Sequence, residues 1–226
     1  MDKILRTVPL QTPVDELCVY LSGPIDFATN ATGWRNVITN RLVAMGFSED
    51  KIYNPCRKPL PSDHFLCQNS EGELLKQYRS LRKWAQRDDL VDLLAHIDLR
   101  MVDKSDIVFV NFPKFGQSAF QKEIADLSKL SMSDDVLAFC NSLIAKLCDT
   151  RVQTYGTMHE IVVARQQKKP VLVIWEGGIS ESSGWVSWLV GHENIFPTLD
   201  DAIDRLSLVL NGQKFVDNRQ WTIFGK

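Results

Sequence analysis

Glu160 and Tyr20 are the residues whose types and settings point to chemistry. Glu160 closes the segment Tyr155-Gly-Thr-Met-His-Glu160, which reads as a loop opening a helix with an acid one turn inside it. Thr157 is a candidate N-cap, and Glu160 three residues later completes the pattern of a capping box. Gly156 permits a tight turn or a close backbone approach to a ligand. A carboxylate in the first turn of a helix bordering a cleft can attack an anomeric carbon, because the helix N-terminus favours its ionised, nucleophilic form. The same pattern equally suits an acid that only caps its own helix. Far upstream, Val19-Tyr-Leu-Ser-Gly-Pro-Ile25 reads as a strand running into a Gly-Pro loop, which would carry Tyr20, Ser22, Gly23 and Pro24 to a strand end.

The elements that must position these residues alternate between strand and helix. Residues 17–22 form an apolar run stopped by Gly23-Pro24, and residues 32–45 follow with apolar side chains at helical spacing and Gly46 as a stop. Residues 51–55 read as a second short strand and 56–69 as an irregular loop. Residues 71–95 are charged and amphipathic, as one long helix or two, and 97–105 read as the approach to the strand 106–112. That strand and residues 170–175 are almost wholly apolar, as expected of strands covered on both faces. Between them, residues 117–149 show two helical patterns with a break near 131–134, within a helical insertion spanning about 114–153. A helix over 158–167, a short helix over 183–190 and a short strand at 195–196 follow. Thr198 is placed to cap a helix over 199–210, and the tail 212–226 is apolar enough to dock. This order predicts a single domain over 1–226 of α/β class. It would be a three-layer, flavodoxin-like or Rossmann-like, mainly parallel sheet of about five strands. In such sheets ligands lie beyond the carboxyl ends of the strands.

Five segments in order, Tyr20-Leu-Ser-Gly23, Asp98-Leu99, Ser105-Asp-Ile-Val-Phe-Val-Asn111, Gly156-Thr-Met-His-Glu160 and Lys169-Pro-Val-Leu-Val-Ile174, give the chain its character. Together they resemble the nucleoside 2-deoxyribosyltransferase family, which includes related nucleotide N-glycoside hydrolases. The resemblance implies that Glu160 is a nucleophile forming a glycosyl-enzyme ester and that the Tyr20 hydroxyl orients it. Asp98 would contact the base and help to protonate it as it leaves, as general acids do. Ser22, Gly23, Pro24, Asn111, Gly156 and Thr157 would line the substrate site. The ligand would be a nucleoside or nucleotide, with no metal and no organic cofactor, and subunit contacts in the family imply a homo-oligomer. Asn218 is a candidate residue lent to a neighbouring subunit. The chain departs from the pattern in two places. Asn111 stands where some members have an acid, and an amide cannot act as a general acid. About 40 residues also separate the middle strand from the Glu160 helix, where the family uses a short loop. Asp26 argues against a phosphate beside the first loop unless Arg35 offsets it. Cleavage of NAD by the same carboxylate is an alternative activity. A non-catalytic nucleotide-binding or protein-interaction module, with the insertion as its partner surface, is another.

The remaining features narrow the class. The 226 residues are 44% hydrophobic and 24% charged with formal net charge −2, which does not suit a polymeric nucleic acid as main partner. The basic run at Arg79, Arg82, Lys83 and Arg87 is followed by acids at 88, 89 and 92, so it reads as a solvated helix face. Five cysteines form no CxxC pair and the first residues carry no apolar signal core, so a cytoplasmic protein with reduced thiols is expected. Cys56, His64 and Cys67 match no common zinc spacing. No apolar run reaches the ~20 residues needed to span a bilayer. The P-loop, dinucleotide-binding and nucleophile-elbow motifs are absent. Asp106 reads as a hydrogen-bonding acid at a strand entrance, Trp34 and His96 as packing residues, and His159 as a surface histidine. Trp185 and Trp188, three apart, are expected in the core or a subunit interface.

Overall fold

The computed structural model describes residues 5–7, 10–25, 31–57, 71–115, 120–127, 129, 133–151, 155–215 and 221–224. Asp26, His64, Cys67, Asn218 and most of the loop 56–69 lie outside the described residues. In chain order the elements are β1 (Leu5–Thr7), β2 (Val19–Ser22), α1 (Gly33–Ala44), β3 (Ile52–Tyr53), α2 (Glu71–Ser80), α3 (Trp84–Lys104) and β4 (Ile107–Asn111). Next come α4 (Gln121–Leu127), α5 (Asp134–Cys148), α6 (Tyr155–Gln166), β5 (Val171–Ile174), α7 (Gly184–Val190), β6 (Ile195–Phe196), α8 (Leu199–Leu210) and β7 (Gln213–Phe215).

Five strands form one parallel sheet in the order β3-β2-β4-β5-β6. Their side chains alternate between two apolar layers, as the period of a strand requires. Val19, Leu21, Ile107 and Phe109 face α1 and α8, with Ile38, Leu42, Leu206 and Val209. Tyr20, Val108 and Val110 face α3, α6 and α7, with Val102, Ile161, Ala164 and Val186. Both faces are covered, which is why these strands read as unbroken apolar runs. The result is the three-layer α/β fold expected, with five strands.

The crossover through α1 leads outward from β2 to β3, and the one through α3 leads back past β2 to β4. The chain therefore reverses direction between β2 and β4, the topological switch point beyond whose carboxyl ends such sheets bind ligands. Asp106 holds the opposite end of this pair, its Oδ2 accepting from the backbone N–H of Cys18 at 2.8 Å. Thr198 caps α8 as expected, its hydroxyl accepting from the N–H of Asp201 at 3.2 Å. The tail docks: β7 pairs antiparallel with β1, and Trp221 and Ile223 are buried beside α8.

One local expectation is corrected and two open ones are narrowed. Residues 97–104 are not an approach to a strand but the last turns of α3, because Leu90, Leu94 and Val102 continue one buried helical stripe through them. The charged segment before them divides at Arg82, whose φ of 53° interrupts the helix. Trp185 and Trp188 do share a face, with rings edge to face at 5.8 Å, but both are exposed and so lie outside the core. The insertion holds two helices, α4 and α5. Its two ends meet: Lys114 bridges Arg151 antiparallel, and Phe115 donates its N–H to the carbonyl of Thr150 at 3.0 Å. Among the described residues no helix is long and apolar enough to cross a membrane.

Candidate functional site

Tyr20 and Ser22 lie two apart on β2, so both point to the layer that α6 covers, with Leu21 on the other side. On α6 the buried residues are Thr157, Glu160, Ile161 and Ala164, one helical stripe that presses against the sheet. Glu160 occupies the part of that stripe facing β2. The Tyr20 hydroxyl donates to Glu160 Oε1 at 2.9 Å, and the Ser22 hydroxyl donates to Oε2. Two residues 140 and 138 positions away in sequence thus grip both oxygens of one carboxylate. Glu160 retains 8% of its surface, buried but not sealed.

The helix begins at Tyr155, earlier than the sequence suggests, so Thr157 is inside α6 rather than its cap and Glu160 is in the second turn rather than the first. The capping box is therefore not formed. Thr157 is buried on the same face as Glu160, whereas Gly156 is exposed and helical with nothing within 4 Å of where a Cβ would stand. No turn or internal contact demands glycine there. Gly156→Ala is accordingly expected to stabilise the fold by about 0.5–1 kcal/mol, or about 1–4 °C in Tm, read by thermal denaturation. A simultaneous loss of ligand affinity would mark Gly156 as a place of close ligand approach.

Gly23 follows Ser22 with φ +156°, and a Cβ there would come within 3.0 Å of the Asn111 carbonyl and 3.1 Å of the Trp34 ring. Close packing between the ends of β2, β4 and α1 therefore requires glycine. Pro24 is buried beside it, and Asn111 is half-buried at the end of β4. Asp98 lies on α3 between Leu94 and Val102, half-buried on the sheet-facing side, near enough for its charge to act on Tyr20 and Arg35. Tyr20, Ser22 and Glu160 are thus in direct contact, Asp98 is in electrostatic range, and Gly23, Pro24 and Asn111 form the adjoining strand ends. Gly156 stands apart on the exposed side of α6. His96, expected to pack, is instead exposed and borders a cavity of about 410 Å³ on the flank of α3 with Tyr53, Arg100 and Lys104.

Arg35 organises the loop after β2, a role its sequence setting does not reveal. It is fully buried, and its guanidinium donates to the carbonyls of Leu21 at 3.2 Å, Gly23 at 2.7 Å and Ala31 at 2.5 Å while lying 4.8 Å from the Trp34 ring centroid. Burial lowers its pKa from the ordinary value, opposed by the charges of neighbouring groups including Glu160 and Asp98. The only cue was its place in the first turn of α1, the helix that follows the Gly-Pro loop. Two buried donors at strand ends also lack hydrogen-bond partners among the described residues: Asn54 Nδ2 after β3 and Trp175 Nε1 after β5. No group of three His, Cys, Asp or Glu side chains able to hold a metal occurs among the described residues.

Burial first, then the Glu160 and Asp98 charges, push the Tyr20 phenol well above its ordinary value of 10.0. The neutral phenol is the form the fold favours. Its stabilising contribution is therefore complete below about pH 10 and is lost as pH rises toward the folded-state value. Alkaline denaturation should show this: stability should fall more steeply above pH 10 in the parent than in Tyr20→Phe. A difference absorbance titration of the two at 295 nm should show the missing phenol ionising late.

Compared with protein-family models, with curated proteins and with solved structures, the chain matches none.

Proposed function

We propose that the protein cleaves or transfers the N-glycosidic bond of a deoxynucleoside, nucleoside or nucleotide through a covalent ester on Glu160. The observation that carries this reading is the grip of Tyr20 and Ser22 on both carboxylate oxygens where β2 and β4 run side by side at the switch point. The resemblance of the five ordered segments to the nucleoside 2-deoxyribosyltransferase family supports it.

The chemistry follows the logic of retaining glycosidases. A Glu160 oxygen attacks the anomeric carbon as the bond to the base nitrogen breaks, and the departing base takes up a proton. Asp98 is the residue proposed to deliver or relay that proton. Tyr20 and Ser22 hold the carboxylate's plane, which fixes the direction of the attacking lone pair. Water or a second base then attacks the same carbon, the ester breaks, and the free carboxylate returns. The neutral phenol of Tyr20 remains a donor throughout, because its raised pKa keeps it protonated.

Incubation with a 2-fluoro-deoxynucleoside tests the reading, since fluorine slows the second step and traps the first. A mass increase equal to the fluorosugar, mapped to Glu160, is expected. Absence of any adduct, together with no base released from a panel of deoxynucleosides, nucleotides and NAD, would reject a catalytic role and leave a carboxylate that merely ties α6 to β2.

A further inference from the structure

The helical excursion between β4 and α6 ends in a helix that its own chain does not cover. None of the residues of α5 is buried, although the helix carries an apolar stripe: Val136, Phe139, Leu143 and Leu147 are 47%, 63%, 43% and 48% exposed. Spacings of three and four residues place these four on one face. The partly covered residues of α5, Leu137, Cys140, Ile144 and Cys148, lie together on the adjoining face, so the chain's own packing is on that side. The opposite flank of the stripe holds one acid and one base. Asp135 precedes Val136 and Lys146 precedes Leu147, each about three turns from the other, so both project from the same flank.

We propose that this face binds a second copy of the chain, with the two α5 helices antiparallel across a two-fold axis. In an isologous contact each residue meets its mirror partner in the series. Setting Phe139 against Leu143 of the other copy also sets Val136 against Leu147. In that register Asp135 falls opposite Lys146, and antiparallel pairing brings like flanks together, so the same ion pair forms twice. In a parallel two-fold arrangement unlike flanks meet, so Asp135 and Lys146 would lie on opposite sides of the seam and the ion pair would not form. Asp149, which would add negative charge at the helix end, is held by Lys114 of its own chain at 2.5 Å. The exposed Trp185 and Trp188 offer no comparable register, because α7 carries no charged side chain. Charge complementarity thus selects both the partner and the orientation.

Sedimentation velocity of the full chain at micromolar concentration tests this. The parent should sediment as a dimer and Leu143→Glu as a monomer with an unchanged far-ultraviolet spectrum. Asp135→Lys and Lys146→Asp alone should each weaken dimerisation about tenfold or more, since each places two like-charge pairs in the contact. The double variant should restore the parent constant. A monomeric parent, a dimer indifferent to Leu143→Glu, or a double variant no tighter than the singles would each overturn the proposal. These outcomes do not depend on catalysis, so they stand apart from the fate of the glycosidic reading.

Discussion

Replacing Glu160 with Gln is expected to lower base release from the preferred substrate by about 10⁴-fold or more, the scale on which loss of a covalent nucleophile acts. The structure makes this a clean substitution. The Gln amide has the size of the carboxylate, its oxygen still accepts from the Tyr20 hydroxyl, and its NH₂ can donate to Ser22 once that hydroxyl turns to accept. Thermal stability should therefore move little while the attacking oxygen is lost. Glu160→Ala is the informative contrast. It empties the space between α6 and β2 and leaves two buried hydroxyls facing nothing, at about 1–3 kcal/mol for an unsatisfied group. Product chromatography under single-turnover conditions, with melting curves on the same samples, separates the two effects. A Gln variant with the parent rate would show that Glu160 only supports the fold.

Arg35→Met is expected to destabilise the protein by about 3–5 kcal/mol, a large share of the ~5–15 kcal/mol typical of a folded chain. The side chain is wholly buried, so shape alone would suggest that an unbranched apolar replacement is tolerated. Its guanidinium, however, serves the carbonyls of Leu21, Gly23 and Ala31, and those acceptors would lose their donors together. The contact with the Trp34 ring would be lost as well. Arg35→Lys should recover little, because one ammonium cannot span three carbonyls that the planar fork reaches from separate nitrogens. Urea denaturation reads the result as a lower midpoint at unchanged slope. A loss below about 1 kcal/mol would mean that the β2 loop is held by something other than Arg35.

The contact between Tyr20 and Glu160 was expected only from the resemblance of the ordered segments, and two short rules now account for it. Strand alternation gives Tyr20 and Ser22 one face, and helical spacing gives Thr157, Glu160, Ile161 and Ala164 another; an α/β sheet leaves few ways to join them. The β-strands of the sheet were legible as apolar runs bounded by glycine and proline. What failed was the placement of helix ends. Thr157 and Glu160 have the composition of a capping box, but burial of Thr157 against the sheet outweighs its preference for a cap, and the helix starts at Tyr155. The end of α3 was misread because residues 97–104 mix apolar and charged types, and only the stripe through Leu94 and Val102 shows that they are helical. Arg35 was legible as a charge but not as a scaffold, since nothing in a sequence marks which carbonyls a guanidinium will meet. The exposure of Trp185 and Trp188 also had no local signature; it depends on what lies across from α7.

Lys114 and Arg151 are joined where the helical excursion leaves β4 and where it returns. Arg151 adds a hydrogen bond to the Phe112 carbonyl at 2.8 Å, another to the carbonyl of Glu176, and a position 4.5 Å from the centroid of Trp175. The segment is tied at its base like a loop of rope at a knot, where its outgoing and returning ends are held together. The span from Asn111 to the acid on α6 is therefore set by the knot and not by the length of the segment between.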